Sequence, residues 1–184
     1  MTTKHRATVQ DLYNMPDHGK AEIVNGEIVR LMPTGAMPGR AAGFIYSSLL
    51  DHERRTKSGH AFPDNVGFIV NLPNRDSFSP DAAWYVGEVT SMGFLEGPPA
   101  FAVEVRSEND YGQPAERQLA NKRKEYFAAG TRVVWDVDLL GDDIIIRVYR
   151  TEDPDSPTAY RRGEIAEAEP AVPGWTMPVD LLFD

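Results

Sequence analysis

The stretch "FAVEVRS", residues 101–107, has the alternating pattern of a buried strand with an acid near its centre. Successive side chains of a strand point to opposite faces, which gives two sets: Phe101, Val103, Val105 and Ser107 on one face, and Ala102, Glu104 and Arg106 on the other. A carboxylate among apolar residues is unfavourable unless it is paired with a cation. Glu104 is therefore predicted either to pair with a basic side chain, such as Arg106 or a helix lysine, or to belong to a cation-binding site.

An N-terminal β-hairpin is the clearest local signal elsewhere in the chain. In "AEIVNGEIVRLM", residues 21–32, two β-branched runs flank Asn25-Gly26, the pair that best fits a type I′ turn. The strands and helices that follow alternate too irregularly for a doubly wound parallel sheet. The sequence therefore predicts an α/β fold in which a mixed β-sheet is flanked by helices.

Helical spacing of apolar residues predicts two long helices, over 40–57 and 113–130. Three segments are predicted to be mainly irregular. They are a loop over 34–39, a loop that runs into a strand over 75–86, and most of the tail from residue 154 onward.

The length of the chain predicts its domain organisation, and its net charge limits the ways in which it could bind nucleic acid. With 184 residues, the chain is expected to fold as one domain over 1–184. The net charge of −9 argues against a protein that coats nucleic acid through a basic face. A nuclease stays possible, because it concentrates acids at a metal site and needs only a local basic patch, such as "HERRTK" at 52–57 or "NKRK" at 121–124.

The residues and segments that the sequence lacks argue against cysteine-based sites, histidine metal sites and a membrane location. There is no cysteine, which excludes disulfides, zinc-thiolate sites and cysteine nucleophiles. The four histidines have no metal-binding spacing: His5, His18, His52 and His60. No apolar run approaches the length of a membrane span, about 18 residues, and the N-terminal residues do not resemble a signal peptide. A cytoplasmic protein with no membrane partner is expected.

Asp81 and Glu104 are the first candidates for a metal site. Asp81, in "SPDAAWYV", begins a predicted strand about twenty residues before Glu104, and small residues follow it. Such an aspartate is often only a turn residue. If the two carboxylates converge, however, they repel each other unless a divalent cation lies between them, and oxygen ligands favour Mg²⁺ or Mn²⁺.

Lys122 and Glu22 are further candidates for the same site. Lys122 follows Gln118 and precedes Tyr126 at helical spacing, so it borders the face of the long helix that should pack on the sheet. It either extends out of that interface or directs its ammonium group at the acids, where it could orient water or stabilise charge on a phosphate. Glu22 is either an exposed hairpin residue or a fourth polar group of the site.

Five motifs, in this order over roughly residues 7–183, resemble the Uma-type restriction endonuclease family of the PD-(D/E)XK nuclease superfamily. Each motif alone is weakly specific, and the ordered set is much stronger. The motifs are "AEIVNGEIVRLMPTG", "SPDAAWYV", "GPPAFAVEVRSENDYG", "KRKEYFAAGTRVVWDVD" and "PAVPGWTMPVDLLF".

This resemblance implies a restriction-endonuclease-like core and a metal-dependent endonuclease that hydrolyses DNA. It implies that Asp81, of the Pro-Asp motif, and Glu104, of the (D/E)XK motif, bind Mg²⁺ or Mn²⁺. Lys122 matches the lysine that this family commonly carries on the following helix, and Glu22 matches an acid of the N-terminal motif. The in-strand lysine position of the superfamily holds Arg106, a poor general base but a suitable phosphate contact.

Two other functions stay open. Family members often have a histidine at the start of the first long helix, where this sequence has Pro38 and Arg40. This departure favours a non-catalytic nucleic-acid- or protein-binding module on an inherited nuclease scaffold. A metal-dependent hydrolase of another phosphate ester is the third possibility.

The resemblance also implies a homodimer, because cleavage of both DNA strands usually needs two active sites. Sedimentation of the chain as a monomer at micromolar concentration would contradict this expectation.

Overall fold

The computed structural model describes residues 6–16 and 19–184; His5 and His18 lie outside the described residues. The helices are α1 (Val9–Tyr13), α2 (Ala36–Thr56) and α3 (Gln113–Ala129), followed by a 3₁₀ helix (Val179–Phe183). The strands are β1 (Ala21–Val24), β2 (Glu27–Arg30), β3 (His60–Pro63), β4 (Phe68–Leu72), β5 (Arg75–Phe78), β6 (Ala82–Tyr85), β7 (Leu95–Glu96), β8 (Phe101–Val105), β9 (Val133–Val137), β10 (Ile146–Arg150), β11 (Asp153–Tyr160), β12 (Ile165–Glu167) and β13 (Thr176–Pro178).

Two larger sheets carry most of these strands. The main sheet has the order β11-β10-β9-β8-β6-β3, in which β8 and β9 are parallel and the other neighbours antiparallel. The hairpin sheet has the order β2-β1-β5-β4-β7, and β12 pairs with β13 separately. The predicted α/β fold with mixed pairing, flanking helices and an N-terminal hairpin is confirmed, although the strands form three sheets and not one.

The predicted turn of the N-terminal hairpin is confirmed by its backbone angles. Asn25 and Gly26 have φ values of 53° and 73°, and a type I′ turn needs positive φ at both central positions. Val24 pairs with Glu27 across the turn. The turn therefore fixes the register of β1 and β2.

Strand β8 is buried on both faces because each face packs against a different apolar cluster. Phe101, Val103 and Val105 belong to a cluster formed with α2 and the C-terminal segment. Ala102 belongs to a second cluster, which includes Tyr126 of α3. The alternation predicted for this strand is confirmed, and the acid of β8 shares the face that packs against α3.

The first long helix begins earlier than predicted. It starts at Ala36, so the loop predicted over 34–39 is wrong for its second half. Pro38 is the third helical residue, and the N–H groups of the first turn have no intrahelical acceptor, so the proline removes no hydrogen bond.

Two other segments predicted as irregular are strands. Residues 75–78 form β5, whose polar side chains are buried by tertiary partners: Ser77 Oγ, for example, accepts the Ile23 N–H at 2.9 Å. Residues 153–160 form β11, which contains Pro154 and Pro157. Proline is tolerated there because β11 is an edge strand of the main sheet, where one row of N–H groups needs no partner.

None of the helices in the described residues is long and apolar enough to cross a membrane.

Candidate active site

Asp81 and Glu104 lie opposite each other on neighbouring antiparallel strands. Ala82 of β6 pairs with Val103 of β8, and one further step of this register brings Asp81 to Glu104. Asp81 also contacts the backbone beside Glu104, because its Oδ2 accepts the Val105 N–H at 2.8 Å. The structure therefore brings together the two acids that the sequence predicts to converge.

These two acids are part of a row that crosses four strands of the main sheet. Pro63 of β3 pairs with Ala82 of β6, so the next residue, Asp64, lies opposite Asp81. On the other side, Glu104 pairs with Asp136 of β9. Residues directly opposite each other share a face of the sheet. We call this set the carboxylate row: Asp64, Asp81, Glu104 and Asp136.

Lys122 of α3 lies over the carboxylate row and bridges two acids. Its Nζ is 2.8 Å from Oε1 of Glu104 and 3.0 Å from Oε1 of Glu22. Tyr126, one helical turn later, donates its hydroxyl to Glu104 Oε1 at 2.6 Å. Burial alone would lower the pKa of Lys122, but the carboxylates of Glu104 and Glu22 outweigh it and raise the pKa. Lys122 is therefore an ammonium ion at neutral pH.

Glu22 is buried beside Lys122, so its alternative placement as an exposed hairpin residue is wrong. Its side chain is 4% exposed, and its Oε1 also accepts the Ser79 N–H at 2.9 Å. Arg75 of β5 lies 2.6 Å from its Oε2. Burial would raise the pKa of Glu22, but Lys122 and Arg75 hold it below the usual range, so Glu22 is ionised.

Arg75 binds two acids, Glu22 within the hairpin sheet and Glu125 on α3. Its NH1 contacts Glu22, and its Nε contacts Glu125 on the helix. Sequence pattern alone does not indicate this role, because the polar residues from 75 onward predict a loop. Arg75 is best understood as a support that holds Glu22 in position beside Lys122.

Arg75→Met is expected to lower the free energy of unfolding by about 3 kcal/mol, because it removes the cation of Glu125 and one of the two cations of Glu22 in a buried place, so that Lys122 alone is left to pair with Glu22. Urea unfolding followed by circular dichroism measures this change. Arg6→Met is the matched control, since the Arg6 side chain is 56% exposed in its pair with Asp76 and surface pairs contribute at most about 1 kcal/mol. Equal stability of the two variants would contradict this role of Arg75.

Burial raises the pKa of Glu104, and the neighbouring Asp81 and Glu22 add to this effect against the opposing charge of Lys122. Burial is the main cause, and the two neighbouring acids show that negative charge is concentrated around Glu104. The side chains of Glu104 and Lys122 are 18% and 17% exposed, so the site is open to solvent.

Lys20 contacts the carboxylate row and was not among the predicted site residues. Its Nζ lies 2.7 Å from Asp81 Oδ1 and 2.6 Å from Asp64 Oδ1. Burial would lower the pKa of Lys20, but Asp81 and Glu104 outweigh it and raise the pKa. Strand alternation could have indicated this residue, because Lys20 and Glu22 are two positions apart and so share a face.

Arg106 does not contact Glu104, although the two share a face of β8. Its guanidinium donates from Nε and NH2 to both oxygens of Asp136, each at 2.7 Å, and also binds Glu116. The helix lysine, and not Arg106, is the partner of Glu104. Arg106 therefore neutralises the charge of Asp136, and its guanidinium is held by Asp136 and Glu116.

The described histidines lie apart from the carboxylate row. His52 is buried against Trp84, with ring centroids 5.6 Å apart, and burial lowers its pKa. His60 lies 3.2 Å from Glu53. At the start of α2, Arg40 donates to the carbonyl oxygen of Asp184 at 2.8 Å.

The donor set fits Mg²⁺ with water or phosphate as further ligands. Over residues 6–16 and 19–184, no group of three or more His, Cys, Asp or Glu side chains is placed to hold a metal ion by itself. Mg²⁺, however, usually binds through one or two carboxylates and completes its shell with water and substrate phosphates. The charges also fit, because five carboxylates here face three cationic side chains: Glu22, Asp64, Asp81, Glu104 and Glu125 against Lys20, Arg75 and Lys122.

The chain is similar to known proteins in sequence pattern and in fold. A family model, Uma2, described as "Putative restriction endonuclease", matches residues 8–180. A crystal structure of "a putative nuclease belonging to DUF820" from Anabaena variabilis is similar with a TM-score of 0.73 and 17% identity, covering 96% of this chain and 97% of that one. At this identity the structural likeness shows a shared fold alone. No curated protein matches the chain.

Proposed function

The chain belongs to the Uma2 family, and on that premise we propose that it is a nuclease that hydrolyses DNA phosphodiester bonds with Mg²⁺ or Mn²⁺. The observation that carries this proposal is the pair of acids, Asp81 and Glu104, that face each other across β6 and β8 with a lysine ammonium on the second of them. Two carboxylates, a nearby ammonium and partial exposure are what metal-assisted phosphoryl transfer requires.

Asp81 and Glu104 are the proposed metal ligands. Asp81 offers Oδ1, which accepts from Lys20, and Glu104 offers Oε2, which accepts from Lys122 at 2.9 Å. A bound Mg²⁺ would polarise the scissile phosphate and activate water for the attack. The Val105 N–H fixes the orientation of the Asp81 carboxylate, so this ligand is held in place before the metal arrives.

Lys122 is proposed to act as a cation that orients the attacking water or stabilises charge on the phosphate. Its raised pKa supports this role over that of a general base, because an ammonium ion has no lone pair to accept a proton. Glu22 is proposed to be a positioning residue: it binds the same Lys122 ammonium group as Glu104 does and is itself held by Arg75.

The alternative is a non-catalytic binding module on the same scaffold. Two observations favour it: Pro38 and Arg40 stand where relatives often have a histidine, and Lys20 already contacts the Asp81 oxygen that a metal would use. Calorimetric titration with Mn²⁺ discriminates the two functions, because a module that has lost the chemistry would bind no metal at millimolar concentration.

The purified chain is expected to convert supercoiled plasmid to open or linear DNA with Mg²⁺ or Mn²⁺, and to lose all cleavage in EDTA. Cleavage should return when the metal is added back, because the protein alone has no group to replace the Lewis acid. Agarose gels of time courses measure this, with RNA and a small phosphodiester as parallel substrates. Equal cleavage with and without EDTA would contradict the proposal. If the chain prefers the small phosphodiester, that compound and not DNA represents its substrate class.

Assignment to the PD-(D/E)XK superfamily, a homodimer that cuts both strands and a cytoplasmic location stay predictions that accompany this proposal.

A further inference from the structure

We propose that Lys20 competes with the divalent cation for Asp81, and that this competition sets how tightly the site binds metal. The inference rests on the proposed function, because it takes Asp81 to be a metal ligand. Lys20 Nζ lies 2.7 Å from Oδ1 of Asp81 and 2.6 Å from Oδ1 of Asp64. The ammonium group therefore bridges two neighbouring acids of the carboxylate row, and it stands where a bound cation would contact Asp81.

Asp81 has little capacity left for a metal while Lys20 stays in place. Its Oδ2 accepts the Val105 N–H, and its Oδ1 accepts the ammonium group. Each carboxylate oxygen has a second lone pair, but a positive charge already at hydrogen-bond distance repels a divalent cation on the same oxygen. Direct binding through Oδ1 therefore requires the ammonium group to move.

Asp64 gives the displaced ammonium group a partner. The Asp64 side chain is 38% exposed, whereas those of Asp81 and Lys20 are 12% and 13% exposed. A lysine has a flexible four-carbon stem, so its Nζ can leave Asp81 and keep Asp64 near the solvent. Displacement therefore does not leave a buried charge unpaired, which would be strongly unfavourable.

A lysine with a purely structural role makes the opposite prediction. It would hold Asp64 and Asp81 in position, and its removal would leave metal affinity unchanged or weaker, because the ligand carboxylate would lose its orientation. A competing lysine makes metal binding stronger when it is removed. The sign of the change in affinity therefore separates the two roles.

The experiment is calorimetric titration of Mn²⁺ into wild type and three variants, which are Lys20→Met, Lys20→Arg and Asp81→Asn. Lys124→Met is an additional control for the loss of one positive charge. Lys20→Met is expected to bind Mn²⁺ about tenfold more tightly, or better, because one competing charge is gone. Lys20→Arg keeps that charge and should bind no more tightly than wild type. Lys124 is exposed on α3, so its replacement removes the same charge and should leave the affinity unchanged.

The outcomes separate this inference from the proposed function. Binding that is stronger in Lys20→Met supports the competition. Binding that appears only in Lys20→Met supports the competition too, but it counts against the proposed function, because the wild-type chain would then hold no metal at millimolar concentration. A Mn²⁺ affinity of Lys20→Met that is equal to or weaker than that of wild type overturns the competition. Thermal unfolding of the same sample checks that the variant is folded. If Lys20→Met does not fold, Lys20→Gln replaces it. If Asp81→Asn, the third variant, abolishes binding while Lys20→Met leaves it unchanged, only the competition fails. If neither variant alters binding, Asp81 is not a ligand and both proposals fail.

Discussion

Replacement of both Asp81 and Glu104 by alanine is expected to reduce plasmid cleavage by at least about a thousandfold. The Lewis-acid effect of a catalytic metal is worth several kcal/mol, and each 1.4 kcal/mol or so is a factor of ten in rate. Without these carboxylates the remaining acids cannot hold the metal at the same place. The measurement is the initial rate of supercoiled plasmid loss at saturating Mg²⁺, together with an Mn²⁺ titration, which should show no binding.

Asp138→Asn is the matched control for this double variant. Asp138 is also a buried aspartate, but its Oδ1 accepts the Tyr111 hydroxyl at 2.7 Å outside the carboxylate row, and asparagine keeps that acceptor. The control should cut DNA and bind Mn²⁺ like wild type. In the double variant, Lys122 keeps Glu22 at 3.0 Å, so the fold should survive, which thermal unfolding checks. Cleavage that persists in a folded double variant would refute the assignment of the metal site.

Local signals were enough to predict the hairpin and the central strand. Asn25-Gly26 determines its turn through backbone preference alone, and the alternation of β8 shows directly which face carries Glu104. The placement of Lys122 over the sheet also follows from helical spacing. These features depend on residues within a few positions of one another, which is the range over which a sequence pattern is informative.

The support around the site could not be predicted in this way. Arg75 and Ser77 make β5 look like a polar loop, and they are buried only because Glu22 and the Ile23 N–H, more than fifty residues earlier, meet them. Lys20 likewise has its partners at Asp64 and Asp81. A buried polar residue is identified by its partner, and the partner becomes known only when the strand pairing is known.

Lys122→Met is expected to reduce cleavage by roughly a hundredfold to a thousandfold, the usual effect of removing one preorganised donor from a developing negative charge. It should also destabilise the fold by about 3 kcal/mol, because Glu22 and Glu104 lose the ammonium group between them. The rate is measured at saturating Mg²⁺ and at a temperature where the variant is fully folded. Lys124→Met, two residues further along α3 and exposed, is the matched control and should retain full activity.

Metal affinity decides what Lys122 does. If the ammonium group acts on water or phosphate, Lys122→Met should bind Mn²⁺ at least as well as wild type, since a positive charge next to the ligand Glu104 has been removed. If its main role is to hold Glu104 in position, the variant should lose metal affinity together with rate. Tyr126→Phe tests separately whether the orientation of Glu104 matters, because it removes the 2.6 Å hydrogen bond to Glu104 and leaves the ammonium group of Lys122 in place. Full loss of rate in Tyr126→Phe, with little loss in Lys122→Met, would show that orientation of the carboxylate matters and that the charge of Lys122 does not.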